Sequence, residues 1–171
     1  MTPPSIRSAG IGDASPLAAL HLDVWDETYA GLLAQSVLDD RRKTPASVRA
    51  GRWRDRITQV PTWVAEEDGE LVGFANVGLG RDKSGVLEVM ALYVRARVYG
   101  QGVGHALLKT ALGERAAYLW VLDGNARAIR FYERQGFGFD GRTKVEEEGL
   151  EHRMVRATGE SPRVAPLRAR A

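Results

Sequence analysis

The chain has no cysteine among its 171 residues, which excludes disulfides, thiolate nucleophiles and cysteine-bound metals. Histidine is nearly as scarce. Its three copies, His21, His105 and His152, are too scattered to suggest a metal cage, so no metal is expected. No apolar run approaches the roughly 20 residues of a membrane-spanning helix, and the opening MTPPSIRSAGIGD lacks the apolar core of a secretion signal. A cytoplasmic protein with no membrane partner is the expectation. A surplus of one charge is also missing. There are 24 Lys and Arg against 22 Asp and Glu, and setting aside Arg163, Arg168, Arg170 and Glu160 near the end leaves 21 of each. Duplex binders displace counterions with a clustered basic surface, so no nucleic-acid partner is expected.

What remains is an ordinary globular mixture, 44% hydrophobic and 27% charged, in a chain long enough to bury one core. A single domain over 1–156 is expected, followed by a disordered basic tail over 157–171, which has no periodicity. SIRSA reads as a short strand, and Gly12-Asp13 supplies an N-cap for a helix from about Asp13 to Trp25. A polar, irregular stretch follows. Thr44 as N-cap and Pro45 at the first helical position then open a second helix. TWVAEEDGELVGFANVGL is a hairpin turning at Asp68-Gly69, a dipeptide suited to positive φ at both central positions. GVLEVMALYV is almost wholly apolar and reads as a central strand covered on both faces. The remainder gives a helix over about Gly102–Arg115, the strand YLWVL, a helix over Asn125–Gln135, and strands near Phe137–Val145 and Leu150–Arg156. This is a mixed α/β (α+β) pattern.

Between the central strand and the next helix, RARVYGQGVGHALLKTAL holds glycines at 100, 102 and 104. A helix N-terminus has unpaired N–H groups and partial positive charge, and glycines let a phosphate approach them closely. The same glycines also suit a plain strand-to-helix turn. No Lys-Ser/Thr pair follows them, which excludes a P-loop. A dinucleotide-binding unit, with Asp123 as its ribose acid and hence a dinucleotide-dependent reductase, fits poorly: the spacing is G-x-G-x-G, and a hairpin precedes it.

Two separated stretches carry a family resemblance. LEVMALYVRARVYGQGVGHALL followed by LWVLDGNARAIRFYERQGFGF resembles the GCN5-related N-acetyltransferase (GNAT) family, and VAEEDGELVGFA is similar to that family's second and third strands. The likeness runs over about residues 5–156. It implies a mixed, mostly antiparallel sheet of about seven strands flanked by about four helices. It also implies acetyl-CoA as cosubstrate, with direct transfer of the acetyl group to a primary amine, a small-molecule amine favoured over a peptide. A non-catalytic acyl-CoA-binding or sensor module on the same fold is the alternative. In the family's pattern a Gln or Arg stands where this chain has Tyr99.

The resemblance implies that the pantetheine arm lies along Leu92, Tyr93 and Val94, with the pyrophosphate on the turn formed by Tyr99, Gly100, Gln101, Gly102, Val103, Gly104 and His105. On the later helix it implies Asn125 as a pantetheine ligand, also a suitable N-cap, with Ala128 and Phe131 beside the cofactor. Arg127, Arg130 and Arg134 form a basic stripe, of which Arg134 is expected at a phosphate. Helical spacing turns Tyr132 inward with Ala128 and Ile129. The resemblance makes Tyr132 the general acid for the thiolate. Glu88 is the one carboxylate in the apolar strand. Burial would raise its pKa toward the range of a base, directly or through water, whereas a place at the strand's exposed end would leave it bonding a neighbour. Trp25 and Tyr29, with Glu88, are expected at the acceptor pocket. Asp26, Glu27 and Glu146 to Glu148 could draw in a cationic amine or simply be solvated. The edge of the last strands could pair into a homodimer.

Overall fold

Asp68 and Gly69 both adopt positive φ, 51° and 81°, in a turn that joins β2 (Thr62–Glu67) to β3 (Glu70–Leu79). Around this hairpin the computed structural model, described over residues 4–158, builds one seven-stranded sheet. Its other strands are β1 (Ser5–Ser8), β4 (Leu87–Val94), β5 (Ala117–Leu122), β6 (Gly138–Glu146) and β7 (Gly149–Arg156), in the order β1-β2-β3-β4-β5-β7-β6. Every neighbouring pair is antiparallel except β4–β5.

Helices cover both faces. On one side α1 (Ala14–Tyr29) and α3 (Ala46–Gln59) bury Leu17, Leu20, Val24 and Trp53 against Val64 and Phe74. On the other, α4 (Val103–Leu112) and α5 (Ala126–Arg134) join a cluster that includes Leu107, Leu112, Tyr132, Leu119 and Met154.

The structure differs from the sequence reading in several places. A fifth helix, α2 (Gln35–Arg42), occupies the stretch expected to be irregular. It buries only Leu38, so it carries no apolar stripe for a periodicity to reveal. Asp13 does not cap α1 with its side chain; its carboxylate accepts from the Gly10 N–H and from Arg7. The last turn of α1 runs on to Tyr29, and α4 stops at Leu112, where Gly113 takes a positive φ of 59°. Apart from Ala157 and Thr158, the tail lies outside the described residues.

The feature that shapes the site is in β4. Asn76 pairs with Ala91 and Val77 with Val89, which leaves Met90 as an extra, bulged residue. Beyond this point β4 no longer pairs with β5: the two join only at Leu87–Ala117 and Glu88–Tyr118. The strand is central as expected, but from Met90 onward it is only half-buried because it faces a gap.

Candidate active site

The gap between β4 and β5 is the mouth of a cavity of about 480 Å³. Its floor is β4 from Val89 to Val94, and its far wall is Trp120 to Leu122 of β5 with Asn125, Ala128, Phe131 and Tyr132 of α5. Tyr99, Gly100 and Gly102 to His105 close one end.

The three glycines do different work. Gly100 and Gly102 have positive φ, 76° and 81°, and an added Cβ on either would meet no atom within 4 Å. They bend the chain into α4 and leave open space above its first turn, where the Val103, Gly104 and His105 N–H groups have no intrahelical acceptor. Gly104 is already helical. A Cβ there would meet the Phe131 ring at 3.4 Å, an ordinary van der Waals contact, so neither space nor backbone shape demands glycine at this position. The turn, the helix dipole and an extended strand with unpaired edge groups make a cradle for a long ligand with a phosphate at one end.

Tyr99, which departs from the expected pattern, has a clear partner. The Arg127 guanidinium lies 3.9 Å from its ring centroid, and both side chains line the cavity. Arg127, one member of the expected basic stripe, therefore supplies a cation at the turn. Arg134 also reaches the cavity, whereas Arg130 does not. Gln101 points away and donates to the Arg97 carbonyl. His105 is exposed and bonds Gln135 at 2.7 Å, tying α4 to the end of α5. Asn125 accepts from the Ala128 N–H at 3.2 Å, as an N-cap does, while lining the cavity.

Tyr132 is buried between the rings of Phe131 and Phe137 and reaches the cavity. Burial pushes its hydroxyl well above the ordinary phenol range, with Tyr29 adding to the rise and Arg127 opposing it. It therefore stays protonated at neutral pH. Tyr29 and Tyr93 form a second phenol group in the cavity wall, their hydroxyls 3.0 Å apart and both raised mainly by burial. The Tyr93 side chain was not foreseen; only its backbone was.

Two expectations, for Glu88 and Trp25, are corrected. Glu88 is buried, 1% exposed, but it does not line the cavity, and its pKa is lowered. Burial alone would raise it, but the Arg81 guanidinium and N–H and the Tyr118 hydroxyl, at 3.0 Å, hold the carboxylate ionised. Trp25 stands behind the cavity wall, packed against Tyr29 with ring centroids 4.7 Å apart and planes tilted by 59°, and of the two only Tyr29 faces the space. Glu27 is engaged through both oxygens, with Arg95 and the Ala96 N–H, and Asp26 pairs with Arg42 through Oδ2. Glu146 is paired with Lys144.

The model of the acetyltransferase (GNAT) family matches residues 22–137, a span that holds the bulged strand, the glycine turn and α5. The chain belongs to this family. This GNAT chain is 30% identical over 149 residues to a probable N-acetyltransferase of Mycobacterium tuberculosis, covering 81% of this chain and 82% of that one. Shorter matches, 34% identical, are to a peptidyl-lysine N-acetyltransferase of Escherichia coli (53% of this chain, 64% of that one) and to a spermine/spermidine N(1)-acetyltransferase of Bacillus subtilis (43% and 57%). The fold agrees with the PaiA N-acetyltransferase of Thermoplasma acidophilum solved with coenzyme A, at a TM-score of 0.73 and 20% identity over 92% of this chain and 99% of that one. The GNAT chain is an acetyltransferase whose acetyl donor is acetyl-CoA. The dinucleotide reading falls: Asp123 lies outside the cavity, paired with His152, and among the described residues the sheet has one parallel pair.

Proposed function

We propose that this cleft passes the acetyl group directly to the primary amine of a small molecule, with Tyr132 as the acid that protonates the leaving thiolate. The observation that carries the proposal is Tyr132: a buried side chain whose hydroxyl is held protonated, in the lining of the same cavity as Asn125 and β4. Bound here, acetyl-CoA supplies an activated thioester. Residues Leu92 to Val94 offer backbone groups to the extended arm, and the Val103 to His105 amides with Arg127 offer a cradle to phosphate. The bulge and the splayed strands position that arm next to Tyr132.

Among the described residues no carboxylate lines the cleft, so the amine loses its proton to solvent at the open mouth and not to Glu88. Glu88 acts by position, pinning the last paired residues of β4 and β5. A cavity of about 480 Å³ suits a thioester arm together with a compact acceptor. The spermine/spermidine relative supports a small-molecule amine, and the peptidyl-lysine relative defines the competing case. The lack of a carboxylate base also favours a second reading, a module that binds acyl-CoA without turnover.

Calorimetric titration with acetyl-CoA, and separately with NADH, followed by thiol-release assays on a panel of primary amines, separates these readings. Acetyl-CoA alone is expected to bind. Tyr132→Phe is expected to lower kcat roughly 10²-fold while the acetyl-CoA Kd stays within about twofold. Unchanged kcat removes Tyr132 from the chemistry; binding without thiol release on any amine supports the non-catalytic module.

A further inference from the structure

A second recess, of about 270 Å³, lies on the α1 side of the sheet, enclosed by α1, α3 and the end of α2. Its wall carries four guanidinium groups. Arg49, Arg52 and Arg56 lie on one face of α3, and Arg41 projects from the last turn of α2. Among the described residues no Asp or Glu forms an ion pair with any of the four. The Nε atoms of Arg41 and Arg49 are buried and donate to nothing. Asp26 pairs with Arg42 through Oδ2 and leaves its buried Oδ1 without a partner, and both Asp26 and Glu148 act on Arg41 only through space.

The heads are nonetheless held in place. Arg41 sits 3.8 Å above the Trp25 ring, and Arg49 donates to the Thr44 carbonyl. His21 completes the recess, fixed edge-on against Trp53 and Phe74 at 5.5 and 5.3 Å. Burial first, then the charges of Arg41 and Arg56, push its imidazole down to about 3, so it is neutral. Burial also lowers the pKa of Arg41 and Arg56. Gathering unpaired cations in a half-buried wall is unfavourable on its own, and planar guanidinium forks are matched to an oxyanion that would offset the cost.

We propose that this recess binds an oxyanion, a carboxylate or phosphate group. Two sources have this chemistry: an acid group carried by the acceptor amine, or a free anion. The recess and the cleft share a wall, since Arg41 stacks on Trp25, Trp25 packs at a tilt against Tyr29, and the His21 ring centroid lies 5.7 Å from that of Tyr93. That continuity places the recess on the acceptor side of the site; this last step rests on the acetyl-transfer reading above.

Thermal unfolding in sodium phosphate against sodium chloride at equal ionic strength tests the site itself, on the wild type, R41Q/R56Q and the milder R56Q. Phosphate is expected to raise the wild-type Tm by several degrees more than chloride does, and by less than half as much in R41Q/R56Q, with R56Q between them. An equal phosphate response in all three proteins overturns the proposal. Acetyl-CoA titration of the same variants reports separately on the cleft, so a failure of the acetyl-transfer reading leaves the phosphate result standing. The source is then read from kcat/KM on matched amines, β-alanine against β-alaninamide and phosphoethanolamine against ethanolamine. A preference of tenfold or more for the acidic member, lost in R41Q/R56Q, makes the anion the acceptor's own. A phosphate response without such a preference makes it a free anion.

Discussion

A carboxylate buried as fully as that of Glu88 must take up a proton or find a cation, and Arg81 reaches it from the turn before β4. Its folded pKa is lowered, so it adds stability above the ordinary glutamate pKa, about 4.3, and loses it as pH falls through the folded value. Glu88→Gln should therefore unfold at lower temperature than wild type at pH 7, and its Tm should fall less between about pH 5 and pH 3. Thermal scans across that range check this; parallel curves would mean that Glu88 does not feel Arg81. The effect should be modest, because the Arg81 side chain is 66% exposed. At this scale the sequence was half legible. The apolar run around Glu88 foretold its burial, but Arg81 sits in an irregular turn where no spacing pattern points to a partner. Tyr132 was more readable, because helical periodicity fixes which way a side chain on α5 faces.

At the scale of elements, the turn into α4 depends on backbone shape and on one borrowed charge. Gly102→Val forces a β-branched residue to φ 81° in the space a phosphate would fill. Acetyl-CoA affinity is expected to fall at least tenfold by calorimetry while the circular dichroism spectrum is retained. Arg127→Ala should raise the acetyl-CoA Kd about tenfold, near the value of one charge-assisted hydrogen bond, 1.5–3 kcal/mol less solvent screening. Unaltered affinity would show that the Arg127–Tyr99 stack is only a surface contact. The glycine turn and the Asp68-Gly69 hairpin were legible because positive φ restricts residue choice so strongly. The Arg127–Tyr99 pair was not, since it joins two elements 28 positions apart in the chain. Helix α2 escaped for a different reason: with Leu38 as its single buried side chain, it is held by its place against α1 more than by its own pattern.

For the whole molecule, the decisive feature is a sheet that stops pairing half-way along its central strands. Edge groups of β4 beyond Glu88 have no strand on the β5 side. Their amides are expected to exchange with solvent faster than those of β3, and the 90–94 segment should slow about tenfold when acetyl-CoA is added, by hydrogen exchange and mass spectrometry. No slowing would mean that the arm does not lie along β4. Seven strands, with β4 as the most apolar stretch, were readable from the sequence; the parting of β4 from β5 was not, because a bulge at Met90 is a matter of register between two strands.

That parting has a thermodynamic consequence. Two pairs of residues, Leu87–Ala117 and Glu88–Tyr118, are all that join β4 and β5 along the sheet. A ligand that touches both strands then acts as a brace between the β1–β4 and β5–β7 portions, and coupling of this kind runs equally in both directions. The free energy by which the ligand stiffens the gap equals the free energy by which a stiffer gap tightens the ligand. Substitutions in β6 or β7, out of reach of the cleft, thereby become affinity changes whenever they alter how β5 is held.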